Sequence, residues 1–396
     1  MSSDPTRDPL LTLLEQAELA PPERLPAITL AAGRAIGARI TIHLVDFDQR
    51  HLHSLTPADD AAPLGVDTTL AGRAFRQVRT LPSAAADRPR LWVPLLDGVE
   101  RLGVLEVEVP DVADLHDPDL LVQCRRISML LGHLVVLTSQ YGDALDLVRL
   151  RRPRTAAGEL IWSLLPPLTA GVDGFVVTGV LEPCYDVGGD AFDYSLSETT
   201  ATLLLMDAVG HDLRSGLVAA TALAAHRSAR HAGLGLREQA VLIDEMISRQ
   251  FSPGTFVTAV LAEVDLGSGR LRYLNAGHPH PLVMRGGKIV RSLTGGHRVP
   301  LGLGPRELTV AEEMLQPDDW LVMHTDGITE ARDEAGEFFG DARLVDFLRR
   351  EAAAGHPPPE TARRLVHAVL DHQDGKLQDD ATVLLARWTS RRELLP

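Results

Sequence analysis

In the second half of the chain two long helical stretches, 216–232 and 237–250, follow each other directly, with strand-like runs on both sides. Runs at 175–181 and 202–207 precede them. Runs at 255–264, 271–275, 281–284 and 320–325 follow, then helices at 342–350 and 359–372 and a last strand at 381–386. A regular parallel α/β domain alternates strand and helix, because each parallel crossover needs its own helix. This order does not alternate, and it predicts a layered α+β domain.

The first part of the chain reads differently. Apolar residues recur at helical spacing over 10–19 and 25–36, and strand-like runs follow at 40–45, 91–95 and 102–109. The last run alternates with period two from Val104, as a half-buried strand should. Asp97-Gly98 between the last two runs is a hairpin turn signal, and 69–75 reads as a short helix. His116-Asp117-Pro118 then marks a helix start, with Asp117 at the N-cap and Pro118 at the first helical position. Apolar residues continue through Leu120, Ile127, Leu130, Leu131, Leu134, Val135, Leu145 and Val148. A helix this long and amphipathic has to pack on the sheet before it, on a second copy of itself, or on both. Charge and Pro153 interrupt it at 149–154, and a second helical piece, 156–165, ends at Pro166-Pro167. The expected organisation is a domain at 1–115, a helical linker and dimer seam at 116–168, and a larger domain at 169–390, in a homodimer. "TLAGRAF" at 69–75 and "WVPLLDGVERLGVLEV" at 92–107 resemble a GAF domain. That resemblance implies an antiparallel sheet with helices, and a small-molecule or protein regulator as its partner.

Composition limits the alternatives. Hydrophobic residues are 45% of 396, enough for two cores. The only cysteines, Cys124 and Cys184, make neither a disulfide framework nor a Cys-rich zinc site, and read as small buried apolar residues. The formal charge of −15 argues against a nucleic-acid partner, whose phosphates need Lys and Arg. No uninterrupted apolar run approaches the ~20 residues of a membrane span, and the polar start lacks a signal-peptide core, so a cytoplasmic protein without a membrane partner is expected.

Several carboxylates sit where a strand stops. Asp190 follows Val187-Gly188-Gly189, Asp207 ends Leu203-Leu204-Leu205-Met206, Asp326 ends Leu321-Val322-Met323-His324-Thr325, and Asp379-Asp380 opens the last strand. Strand-end carboxylates beside glycine turns can converge on one sheet edge. There they repel unless a hard divalent cation neutralises them. Two such ions activate a water for in-line attack on phosphorus. Taken singly, each Asp-Gly is an ordinary turn. Together with "EPCYDVGGDAFDY" (182–194), "LLLMDAVGHD" (203–212), "FVTAVLAEVD" (256–265), "LNAGHPHPLVMR" (274–285), "PLGLG" (300–304), "LVMHTDGITEARDEAGEFFG" (321–340) and "QDDATVLLAR" (378–387), they resemble the PPM protein phosphatases, in the SpoIIE-like and RsbU-like branch.

The resemblance implies a sandwich of two antiparallel sheets flanked by helices, and an enzyme that uses two Mn²⁺ or Mg²⁺ ions to hydrolyse phosphoserine and phosphothreonine. It implies that Asp207 bridges both ions, that Asp190 and the Ala208 carbonyl serve one, and that Asp326 and Asp379 serve the other. Asp380 adjoins Asp379, and the sequence leaves open which of the two reaches the metal. The implied substrate is a phosphorylated STAS-type antagonist of an anti-sigma factor. One departure appears: the family's Gly-His-Gly reads Gly210-His211-Asp212 here, which places a charge and a less flexible residue beside the site. It leaves room for a low-activity scaffold or a ligand-gated dimerisation sensor as alternatives.

Other residues rank below these. His211 is a candidate proton donor to the leaving oxygen. His278 reads as a turn residue. His278 with His280, and His51 with His53, lack further ligands at metal spacing. Arg298 and Gly295-Gly296 lack the GxxxxGK phosphate pattern and read as a solvated loop. Cys184 is not in a Cys-x₅-Arg loop, and no Ser-His-Asp set assembles from these motifs.

Overall fold

The structure, a computed structural model, describes residues 8–55, 62–84, 88–182, 186, 188–210, 212–304 and 308–389. The chain divides into two compact units, Met1–Pro153 and Arg154–Leu395.

In the first unit α1 (Pro9–Ala17) and α2 (Leu25–Ala35) precede β1 (Arg39–Val45), β2 (His51–Ser54) and β3 (Leu64–Gly65). Then come α3 (Leu70–Gln77), β4 (Leu81–Ser83), β5 (Arg90–Asp97), β6 (Glu100–Glu108), α4 (Pro118–Ser139) and α5 (Ala144–Arg149). The strands form an antiparallel sheet in the order β3-β2-β1-β6-β5-β4. The β5–β6 hairpin turns at Asp97-Gly98, where Asp97 pairs with Glu100. Strand alternation divides the side chains between two cores. Ile40, Ile42, Leu44, Leu91, Val93 and Leu95 pack with α1, α2 and α4, while Val45, Trp92 and Val104 pack with Phe75 of α3.

Helix α4 starts where the sequence predicts, with Pro118 at its first position and the Asp117 carboxylate accepting the Asp119 amide at 3.0 Å. It buries Cys124, Ile127, Leu131 and Val135 in the core of the first unit. The stretch read as one linker therefore divides: α4 and α5 lie in the first unit, and α6 (Ala156–Leu164) opens the second. Among the described residues α4 is the one helix long and apolar enough to cross a membrane by length and composition, at mean hydropathy 1.5. A count of uninterrupted apolar runs passes over it because Arg125 and Arg126 break the run.

In the second unit α6 leads into β7 (Thr169–Val172), β8 (Phe175–Glu182), β9 (Asp190–Leu196) and β10 (Thr200–Ala208). The adjacent helices are α7 (Leu213–His231) and α8 (Leu236–Gln250). The strands β11 (Val257–Asp265), β12 (Arg270–Ala276), β13 (Leu282–Arg285), β14 (Lys288–Ser292), β15 (His297–Arg298), β16 (Ala311–Met314) and β17 (Trp320–His324) follow. Three helices, α9 (Asp326–Thr329), α10 (Gly340–Ala353) and α11 (Pro358–His372), lead to β18 (Ala381–Trp388). One sheet runs β15-β12-β11-β10-β9 with β16 added on β12; the other runs β14-β13-β17-β18-β8-β7. Both are antiparallel apart from the short β12–β15 pair.

The main core joins inner faces of both sheets to α7 and α8: Leu203 and Leu205 of β10, Leu384 and Ala386 of β18, Ala219 and Ala222 of α7, and Ile243 of α8. A second core lies between Val383 and Leu385 of β18 and helices α10 and α11. The unit is the expected α+β sandwich of two sheets flanked by helices. The strand β9 escaped the sequence reading because Asp190, Asp193, Tyr194 and Ser195 hide its apolar pattern.

Candidate active site

The strand-end aspartates come together at one edge of the second unit, contributed by both sheets. In the first sheet β9 and β10 are antiparallel, so Asp190 at the start of one stands opposite Asp207 at the end of the other. In the second sheet β17 ends at His324 and β18 begins at Ala381, with His324 paired to Val383. Asp326 opens α9 just after β17, and Asp379-Asp380 lies just before β18.

Hydrogen bonds stitch the two sheets at this edge. Asp380 Oδ2 accepts the backbone amides of Gly188 at 2.7 Å, Gly189 at 2.8 Å and Asp190 at 3.3 Å. The Thr325 hydroxyl donates to Asp190 Oδ2 at 2.8 Å and accepts the Thr382 amide at 3.0 Å. Two glycines permit the close approach. A Cβ on Gly189 would collide with the Ala208 carbonyl, and one on Gly327 with the Asp380 carbonyl.

These contacts divide the five acids. Asp190 and Asp380 are buried, Asp207 and Asp326 are partly open, and Asp379 is exposed. The two aspartates that the sequence leaves as alternatives differ in surroundings: Asp380 is committed to the 188–190 backbone, and Asp379 faces solvent. The signal was present in strand parity. Asp380 shares its side of β18 with Thr382 and Leu384, and Leu384 lies in the core between the sheets. Thr325, which fixes Asp190, was missed because a threonine before Asp-Gly has no distinguishing pattern.

Electrostatically the acids form one group. Burial, then the charges of Asp326, Asp379 and Asp380, push the Asp207 carboxyl up to about 8. Burial, then Asp207 and Asp380, hold Asp190 well above the carboxylate range. Asp326 is raised by burial, Asp379 and Glu330. Asp380 is raised by burial, which the three amides partly offset. Carboxylates that resist ionising together are the donor set a hard divalent cation neutralises. The residues therefore fit such an ion, with the Ala208 carbonyl at the end of β10 as a further oxygen. Among the described residues, however, no three His, Cys, Asp or Glu side chains are already arranged to hold a metal. The acids sense one another without converging on a point.

The departure at 212 has a structural explanation. Asp212 is the N-cap of α7, its Oδ1 accepting the amides of Arg214 at 2.9 Å and Ser215 at 3.1 Å. Its φ of −123° is open to any residue, so no glycine is required there. His211 and Cys184 lie outside the described residues.

The remaining candidates have structural partners. His278 is buried: its amide donates to Asn275 Oδ1 at 2.8 Å, and its Nδ1 lies 2.8 Å from the Thr258 hydroxyl. Burial, then His324, lowers its imidazole to about 3, so it is neutral. Arg298 is not in a solvated loop as expected. It is buried, and its Nη2 donates to Asp244 Oδ1 of α8 at 2.8 Å, with Gly302 donating to the same oxygen at 2.9 Å. His280 is exposed beside His297. In the first unit His51 and His53 face the buried Asp46 at 3.5 and 3.4 Å.

Comparison with known proteins agrees with this geometry. The model of the Stage II sporulation protein E (SpoIIE) family matches residues 197–389. Protein IcfG of Synechocystis sp. is 28% identical over 132 residues, which is 33% of this chain and 20% of that protein. Stage II sporulation protein E of Priestia megaterium is 24% identical over 207 residues, 51% of this chain and 34% of that protein. The chain thus spans about a third or less of the length of these relatives. Among solved structures, the SiaA PP2C domain of Pseudomonas aeruginosa superposes with a TM-score of 0.50 at 25% identity, covering 64% of this chain and 99% of that one. By these comparisons the second unit of this chain is similar to SpoIIE-type, PP2C-like phosphatase domains.

Proposed function

We propose that the chain is a Mn²⁺- or Mg²⁺-dependent phosphatase acting on phosphoserine and phosphothreonine in proteins. The observation that carries the proposal is the gathering of Asp190, Asp207, Asp326, Asp379 and Asp380 on one edge, where burial and neighbouring carboxylates raise the affinity of Asp190, Asp207 and Asp326 for protons. Two bound ions supply charge neutralisation and an activated water for in-line attack at phosphorus. In this reading the open carboxylates Asp207, Asp326 and Asp379, with Asp190 and the Ala208 carbonyl, hold the ions. Asp380 and Thr325 fix the backbone and the carboxylate behind them.

The proposed substrate is a phosphorylated STAS-type antagonist of an anti-sigma factor in a cytoplasmic partner-switching pathway, supported by the motif resemblance. The proposed regulator is the GAF-like first unit, in a homodimer. A route for control is supported by α6, the helix that follows the first unit. The Arg227 guanidinium of α7 donates both to the Leu164 carbonyl at the end of α6, at 2.6 Å, and to the buried Asp193 of β9, at 2.8 Å. Helix α7 is capped by Asp212, five residues beyond Asp207. A shift of α6 is thereby coupled to the segment that positions Asp207.

The test is Mn²⁺-dependent release from p-nitrophenyl phosphate by the full chain. Asp207→Asn and Asp326→Asn should each abolish it. Full activity in both would reject the assignment.

A further inference from the structure

Beside the Asp207 segment, a pocket of about 420 Å³ opens between the first turns of α7 and the 252–255 turn. Val209, Gly210, Asp212, Arg214, Ser252 and Thr255 are among its walls, and none of the five clustered aspartates is; the Asp212 carboxylate is engaged as the α7 cap. The pocket is thus next to the reacting centre without containing it.

Arg214 is its cation. The guanidinium Nη2 donates to the Ser252 hydroxyl and to the Thr255 hydroxyl, the latter at 3.4 Å. Both partners are neutral. Among the described residues no carboxylate lies within ion-pair distance of Arg214, although most arginines of α7 and α8 have one. The guanidinium is held in place by hydroxyls, its charge is not neutralised, and its planar fork retains donors matched to an oxyanion. At the start of α7 the amides of Arg214 and Ser215 are taken by the Asp212 cap and that of Gly216 by the Asp212 carbonyl. Val209, Leu213 and Leu217 are exposed around the same turns, an apolar surface suited to polypeptide.

We propose that this pocket is a subsite for the substrate's polypeptide, in which Arg214 pairs with an acidic side chain flanking the phosphorylated residue. The inference rests on the phosphatase reading for the identity of the substrate. The position of the pocket outside the carboxylate cluster favours a flanking residue over the phosphoryl group.

The test uses fluorescently labelled phosphoserine peptides that differ by a single Glu or Gln, placed one to three residues to either side of the phosphoserine. Binding to the full chain is read by anisotropy in EDTA, where no turnover occurs. At one position the Glu peptide should bind about fivefold to tenfold more tightly than its Gln counterpart. Arg214→Gln should remove that preference, and Arg214→Lys should restore part of it. Circular dichroism melting of each variant confirms that it is folded. No Glu preference at any position, no binding of either peptide, or a preference that survives in Arg214→Gln would overturn the subsite. So would a parallel fall in kcat of Arg214→Gln for p-nitrophenyl phosphate, which would put the guanidinium at the phosphoryl group. Failure of the wild-type protein to release phosphate would reject the catalytic reading, while anisotropy would still read the subsite.

Discussion

Replacing Asp207 with asparagine should stabilise the metal-free protein at alkaline pH while destroying its response to Mn²⁺. In the fold the carboxyl is raised from 3.8 to about 8, by burial first and then by Asp326, Asp379 and Asp380. Between those limits the folded state binds a proton that the unfolded state has lost, so stability falls as pH rises through the window. At face value a shift of this size corresponds to roughly 6 kcal/mol. Asp207 is partly open to solvent and shares its repulsion with three other acids, so the expected gain for one substitution at pH 8 is about 2 kcal/mol. Urea denaturation of the full chain in EDTA, following the transition of the second unit at pH 5 and pH 8, measures it. The wild-type transition should move to lower urea at pH 8. Asp207→Asn should move less, and the gap between the two should narrow at pH 5. Added Mn²⁺ should stabilise the wild type and leave the variant unchanged. Wild-type stability that is flat or rising from pH 5 to pH 8 in EDTA, with the variant following it, would refute the reasoning.

Other substitutions test the scaffold. Asp380→Ala strands three backbone amides and should cost about 2–4 kcal/mol of urea-derived stability, whereas Asp380→Asn keeps an acceptor and should cost less than about 1 kcal/mol. Asp212→Ala should cost about 1 kcal/mol through loss of the α7 cap, and Asp212→Gly only a few tenths, with Mn²⁺-dependent phosphate release retained in both. Asp244→Ala leaves the Arg298 guanidinium buried without its carboxylate and should cost about 3–5 kcal/mol, read as a fall in melting temperature.

The sequence exposes the parts of this protein that depend on local order. Asp207 is legible because four apolar residues stop at it, and Asp117 because a proline follows it. The stretch 116–168 was harder to divide. The charge and Pro153 between α5 and α6 mark a break, but periodicity does not say which core each helix joins, and α4 joins the first. Arg298 reads as part of a glycine-rich surface loop because its partner, Asp244, is 54 residues away on α8. The pairing of Asp190 with Asp207 is similarly nonlocal: it follows from β-strand register, and β9 is too polar to declare itself. The Gly-to-Asp departure at 212 looked like an added charge near a phosphate. In the fold it is a helix cap, a role that Asp fills as well as any residue.

The Thr325 hydroxyl carries a polarity that reaches further than its two contacts. Its oxygen already accepts the Thr382 amide, so its single proton is free to point only toward Asp190 Oδ2. A backbone amide in one sheet therefore sets the direction of a hydrogen bond received by a carboxylate in the other. Burial and the charges of Asp207 and Asp380 raise that carboxyl's affinity for protons, and Oδ2 is the oxygen that accepts the Thr325 hydroxyl. Oδ2 of that buried acid is thus marked out by a threonine just past the end of β17, before any ligand arrives.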